Sequence, residues 1–390
     1  MTAGQPWMAQ SLAKGAAGTA LLHIERAHTG QGTWQRAHSW ITKAVAGEVS
    51  AADTAGLYLG APAIAFILYA ASTGGARYGG ALKEVDAHVA ALARRRADTA
   101  MARIRRGEFA SFAEYDVFFG LTGIGAYLLR SSPEGSAMEH VLRYLVELTK
   151  PLRVDGQELP GWWVGHDQHT RTSARYPGGH SNQGVAHGVT GVLLLLSQAA
   201  RRGVTVDGQH EAIKRICAWL DAWQQHGEAG AWWPECIALA DLRTGRTAQS
   251  SPARPSWCYG TPGIARAQQL AAIATGDTKR RHAAEQHLVN CLSDPVQLSR
   301  LTDAGLCHGW AGVYQTVWRA ARDTVSHPAL RTVLPHLADQ LADQLARHTV
   351  PGAAGGPGFL EGSSGAALAL MTAAQDTAPT SGWDACLLID

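Results

Sequence analysis

Seven times along the chain a pair of small residues three apart stands directly before an apolar run. The copies begin at Gly15-Ala16-Ala17-Gly18, Gly60-Ala61-Pro62-Ala63, Gly120-Leu121-Thr122-Gly123 and Gly188-Val189-Thr190-Gly191. They continue at Gly260-Thr261-Pro262-Gly263, Gly309-Trp310-Ala311-Gly312 and Gly362-Ser363-Ser364-Gly365. The steps between them are 45, 60, 68, 72, 49 and 53 residues. One G-x-x-G says little, since glycine is 43 of 390 residues, but seven at semi-regular spacing specify a repeat. Each step has room for two helices and their loops. The stretches between copies, such as 81–104 and 332–349, are rich in Arg, Asp, Gln and Ala and read as amphipathic. Each unit is therefore expected to be an outer, half-polar helix followed by an inner, nearly all-apolar one. Small residues let an inner helix start close to its neighbours. Seven helix starts gathered on one face would line a polar mouth over an apolar barrel. An open solenoid is the competing arrangement; no polar end caps are evident, which favours a closed ring.

Composition narrows the class. Apolar residues make up 46% and charged residues 17%, so a sizeable core is expected and disorder is not. A net charge of +2 offers no argument for nucleic acid or for an anionic membrane. The six cysteines are dispersed, without the spacing of a disulfide scaffold, and no signal-type apolar stretch opens the chain. The longest apolar stretches, 61–71 and 189–196, fall short of the roughly 18–20 residues that a membrane helix needs. A soluble, reduced, cytoplasmic protein of one domain, 1–390, is expected. Little reads as a long alternating strand, and 351–358 reads as a loop.

Reactive residues cluster just ahead of the turns. Asp116 precedes the third, His187 touches the fourth, and Cys258 precedes the fifth. Cys307 and His308 precede the sixth, and Glu361 the seventh. On a ring these distant residues would converge at one mouth. Two cysteines and a histidine suit zinc, and three protein ligands leave a fourth position open, as in catalytic sites. The competing reading is two buried free cysteines beside a hydrogen-bonded histidine. His187 alone would more often be a core histidine, and Asp116 a cap or turn residue. Glu361 could be an acid, a helix cap or a partner of a ligand. Cys217, Cys236, Cys291 and Cys386 lie outside the turns and are expected to pack as small apolar groups. His166, His169 and His180 could form a second metal site, but a loop flanking the mouth is favoured. The arginines at 94, 95, 96, 103, 105 and 106 read as a solvated helix face, with a docking patch for an acidic peptide or partner enzyme as the alternative.

Gly184-Val185-Ala186-His187-Gly188, Ser256-Trp257-Cys258-Tyr259-Gly260, Gly305-Leu306-Cys307-His308-Gly309 and Phe359-Leu360-Glu361-Gly362 together resemble the lanthionine synthetase C-like (LanC) cyclases. The resemblance runs from Gly15 to Leu370. It implies an all-α fold, a double-layered α/α toroid of seven inner and seven outer helices. It implies Zn2+ on Cys258, Cys307 and His308, an acid/base role for His187, and active-site roles for Asp116, Arg254 and Tyr259. The activity implied is addition of a peptide cysteine thiolate to a dehydroalanine or dehydrobutyrine, which closes a (methyl)lanthionine thioether ring. The implied partner is a dehydrated precursor peptide, leader plus core, with a separate dehydratase as a further candidate. A small β-rich extension found in some members leaves no trace in the sequence, so a plain toroid is expected. The rival readings are a relative that adds glutathione or another thiol to dehydrated residues, another toroid enzyme such as a glycosidase or prenyl transferase, and a non-catalytic scaffold for a peptide or dehydratase.

Overall fold

The computed structural model of the chain describes residues 6–75, 77–154, 156–167, 171, 174–324, 327–348 and 356–390. The inner helices are Ala16–His28, Ala61–Ser72, Leu121–Ser131, Val189–Arg201, Thr261–Thr275, Trp310–Asp323 and Ser363–Gln375. Each starts one residue after the first glycine of a repeated turn, so all seven of those glycines are helix N-caps. Among these caps only Gly60 and Gly260 adopt positive φ, +78° and +105°, where glycine is strongly favoured. The second glycine answers to a different demand. A Cβ at Gly18, Gly123, Gly191, Gly263, Gly312 or Gly365 would fall 1.9–2.4 Å from the carbonyl oxygen six residues earlier. Ala63 is the one copy that carries a Cβ there.

Those glycines also touch the preceding unit, and that contact closes the fold. A Cβ at Gly123 would meet Leu57, at Gly191 Val117, at Gly263 Val185, at Gly312 Trp257 and at Gly365 Leu306. At Gly18, in the first unit, it would meet Phe359 of the seventh at 2.7 Å. Backbone hydrogen bonds make the same circuit. Leu12 N–H donates to Tyr58, Tyr58 to Phe118, Val117 to Ala186, Val185 to Cys258, Cys258 to Cys307, Cys307 to Leu360, and Leu360 to Ala13, at 2.9–3.3 Å. An open solenoid has no bond from its last unit to its first, so the chain is a closed ring.

Outer helices alternate with the inner ones: Trp34–Ala44, Gly79–Arg105, Ser136–Leu148, Gln209–Ala222, Thr278–Leu292 and Leu334–His348. That is six among the described residues, and the first inner helix is preceded there only by the 3-10 turn Pro6–Gln10. The layers differ in burial as their patterns require. The outer helix Trp34–Ala44 buries Ala37, Ile41 and Ala44, a single stripe, whereas Ala61–Ser72 buries every residue from Ala61 to Leu68.

The far end of the barrel is stoppered by the chain's last residues. Leu387 accepts a hydrogen bond from Trp257 Nε1, Cys386 from Tyr58 Oη, Leu388 from Gln198 and Ile389 from Arg266, at 2.6–3.0 Å. Asp384, fully buried, takes a bidentate pair from Arg319 at 2.7 Å. Glu25 holds the backbone of Thr380 and Ser381 at 2.9 and 2.8 Å. Nothing in the repeat pattern anticipates this plug.

The expectation of a plain toroid needs correction. Six strands of three residues form three antiparallel pairs: β1 (Leu152–Val154) with β2 (Gln157–Leu159), β3 (His180–Asn182) with β6 (Cys236–Ala238), and β4 (Gln225–Gly227) with β5 (Gly230–Trp232). They occupy the two longest steps of the repeat. Three residues are too few to display a two-residue alternation. The basic run is likewise not one solvated face. Arg96 and Arg103 are buried; Arg96 donates to Ala55 O at 2.7 Å and to Ala113 O, and Arg103 pairs with Glu114 at 2.5 Å. Arg95 and Arg106 make exposed pairs with Asp53 and Glu108. Cys217, Cys291 and Cys386 are buried, as expected of small apolar groups, and Cys236 is half-buried. Burial pushes the Cys217 thiol up to about 11 and that of Cys291 up to about 12. No described helix is long and apolar enough to cross a membrane. His169 and most of the 351–358 loop lie outside the described residues.

Candidate active site

The ring gives each unit one residue on a common rim. Immediately before the capping glycines stand Lys14, Leu59, Phe119, His187, Tyr259, His308 and Glu361, each half-buried or exposed. One place earlier stand Ala13, Tyr58, Phe118, Ala186, Cys258, Cys307 and Leu360, whose backbones belong to the hydrogen-bonded circuit. Cys258 and Cys307 thus hold the same repeat position in adjacent units, and His187 and His308 share the next.

At the fifth and sixth units, ligand atoms of Cys258, Cys307 and His308 all lie within 4.8 Å of one another, the one such donor cluster of this kind among the described residues. A bond from Cys258 N–H to Cys307 O at 3.2 Å clamps the two loops together. The thiols share their protons unequally. Cys258 is held well below the usual thiol range, first by its hydrogen bond with Cys307, with His308 and Ser256 adding to it against burial. Cys307 is pushed up by Cys258 first and then by burial. His308 is raised, above all by its bond with Cys258. Two sulfurs and an imidazole, with an ionised thiol already favoured, are a donor set that could hold a metal ion such as zinc.

At the third and fourth units, His187 Nδ1 lies 2.6 Å from Asp116 Oδ2. Asp116 is buried, and its Oδ1 accepts the backbone N–H groups of Phe119 and Gly120 at 2.7 and 2.8 Å. The aspartate thus pins the turn ahead of the third inner helix with one oxygen and orients the histidine with the other. The carboxylate favours the tautomer with the proton on Nδ1 and leaves Nε2 as an acceptor. Phe118 and Phe112 wall the imidazole, with ring centroids 5.0 and 5.9 Å away.

The remaining sequence-derived residues find definite places. Arg254 Nη1 lies 3.7 Å from Asp303 Oδ2, beside His308. Tyr259 points its hydroxyl to Asn182 Nδ2, which donates to it at 2.8 Å, and burial holds its pKa well above the ordinary range. Asn182 Oδ1 accepts Gly184 N–H at 2.9 Å, so the end of β3 fixes the loop that carries His187. Glu361 pairs with Lys14 across the ring seam at 3.1 Å, and both are largely exposed. His166 and His180 pack on Phe112, the ring that also touches His187; they flank the Asp116–His187 pair and join no donor cluster among the described residues. Burial lowers the His180 pKa to about 4, and its Nδ1 is buried without a hydrogen-bond partner among the described residues. Asn182 and Asp303 are site neighbours that carry no reactive motif of their own in the sequence. Both stand six residues before a capping glycine, as Arg254 does, so the repeat register carried a signal for them.

Comparison with known proteins gives this geometry its setting. Residues 6–388 match the family described as lanthionine synthetase C-like protein. The chain belongs to that family. The nisin biosynthesis protein NisC of Lactococcus lactis subsp. lactis is 24% identical over 264 residues, which cover 66% of this chain and 60% of that relative. The sequence match therefore spans about 60% of the curated relative's length. Among solved structures, nisin cyclase superposes with a TM-score of 0.83 at 22% identity, covering 98% of this chain and 93% of that one. The α/α toroid of this LanC-like chain is thereby the fold of nisin cyclase, and its donor cluster lies on the rim of that toroid.

Proposed function

We propose that this LanC-like chain is a zinc-dependent cyclase that joins cysteine thiols of a dehydrated peptide to dehydroalanine or dehydrobutyrine residues of the same peptide. The observation that carries the proposal is the meeting of Cys258, Cys307 and His308, drawn from two units 49 residues apart, with their ligand atoms within 4.8 Å. Family membership and the Asp116–His187 pair support it.

Cys258, Cys307 and His308 would hold the metal. Bound there, zinc would supply the Lewis acidity that converts a substrate thiol to thiolate near neutral pH. His187 accepts the thiol proton on Nε2, because Asp116 occupies the Nδ1 side. The sulfur adds to the β-carbon, a C–S bond forms, and the double-bond electrons pass to the carbonyl as an enolate. His187 returns the proton to the α-carbon, so the addition is balanced without a redox step. Arg254, 3.7 Å from the Asp303 carboxylate that faces His308, would steady the enolate oxygen with its guanidinium. Tyr259, held neutral and bonded to Asn182, positions the Cys258 loop. Because the thiol and the alkene belong to one bound peptide, proximity supplies much of the rate.

Cyclisation leaves mass unchanged, so the test is thiol alkylation of a dehydrated, cysteine-containing peptide after incubation with the zinc-loaded protein. Protection of one thiol per ring is the expected result. A peptide that alkylates fully, as it does without the protein, rejects the cyclase reading. Appearance of a glutathione adduct when glutathione is present would reassign the site to addition of an external thiol.

A further inference from the structure

We infer that Asp303 is the positioning residue of the metal corner, fixing the tautomer and ring orientation of His308 while holding Arg254 beside it. The inference rests on the zinc reading above and extends it to a residue outside the donor set. Asp303 cannot turn away. Its Oδ1 accepts Gly305 N–H at 2.9 Å, its carbonyl accepts Trp310 N–H at 3.0 Å, and a Cβ at Gly309 would fall 2.3 Å from Oδ1. These contacts spend one carboxylate oxygen on the turn and leave the other directed at the site. That second oxygen, Oδ2, stands 3.6 Å from His308 Nε2 and 3.7 Å from Arg254 Nη1. A carboxylate facing Nε2 favours the proton on that nitrogen, which frees the lone pair of the other one for a metal and raises its basicity. Arg254 comes from the fifth unit and His308 from the sixth. One side chain therefore ties together the loops that carry the two cysteines.

A purely structural Asp303 would serve only the Gly305 turn, and an asparagine would serve it equally well. Asp303→Asn keeps an oxygen for Gly305 N–H and deletes the charge facing His308; Asp303→Ala deletes both. Zinc dissociation constants, measured by competition with a chromophoric chelator, are expected to rise about 10-fold for Asp303→Asn and up to about 100-fold for Asp303→Ala. The visible absorption of the Co2+-substituted Asp303→Asn protein is expected to shift, while its melting temperature stays near that of the unaltered protein. Wild-type zinc affinity and an unchanged cobalt spectrum in Asp303→Asn would overturn the role of Asp303 alone. An unaltered protein that takes up no zinc would sink the metal reading and this inference together.

Discussion

The rim carries two candidate corners, each with a histidine directly before a capping glycine and held in opposite ways: a proton corner, Asp116–His187, and the metal corner of the zinc reading, Cys258, Cys307 and His308. The proton corner is complete in the chain itself: Asp116 is anchored by two backbone N–H groups and in turn anchors His187. In the metal corner the donors lean on one another, and two adjacent thiols divide their protons between them. The difference teaches that one rim can finish a side chain by local bonds at one point and, on the zinc reading proposed above, leave donors for an ion at another. A corner finished by backbone hydrogen bonds should survive the loss of the metal. One finished by a metal should not survive the loss of a donor.

The largest expected effect lies in the metal corner. Cys258→Ala should abolish stoichiometric zinc and lower ring closure by about three orders of magnitude, since metal activation is worth several kcal/mol. Elemental analysis beside the alkylation assay checks it; full zinc in this variant would break the assignment of the corner. Next comes the proton corner. His187→Ala should keep wild-type zinc and slow ring closure on the order of 10²-fold, the lower end for a lost general acid/base. Asp116 retains its two backbone donors in that variant, so the fold should hold. Zinc loss in His187→Ala would mean that the corners are not independent.

The smallest effect reads the packing behind the proton corner. His180 has a folded pKa of about 4 against an ordinary 6.5, because burial opposes its charge. As pH falls below 6.5 the unfolded chain takes up this proton first, and the folded chain follows only near 4. Its contribution to stability is therefore present above pH 6.5 and lost between 6.5 and 4, by at most about 3 kcal/mol. Denaturant titrations of the parent and His180→Gln at pH 7 and 4.5 should show a steeper acid loss in the parent. Parallel losses would remove His180 from the acid response.

Much of this was legible in the chain. The seven turns marked every inner helix start to within one residue, because a cap glycine and an apolar run are local signals. The donor trio and Asp116–His187 were legible as repeat positions and through the family resemblance. Three things were not. The strands β1 to β6 are too short to alternate. Arg96 and Arg103 looked like surface charge because sequence shows neither the carbonyls of Ala55 and Ala113 nor the depth of Glu114. The stopper at 383–390 has no periodicity, since its partners come from several units of the ring.

What the sequence determined by itself is the unit: a glycine cap, an inner helix that must be buried all round, and an outer helix with one apolar stripe. These follow from short-range sterics and pattern. Tertiary structure alone decided that the units close on themselves, with Phe359 against Gly18 and Leu360 bonded to Ala13. Closure is a long-range event: small rotations between neighbours must sum to a full turn, and no single unit encodes that sum. The metal corner depends on it too, because Cys258 and Cys307 meet only where adjacent units are bonded loop to loop.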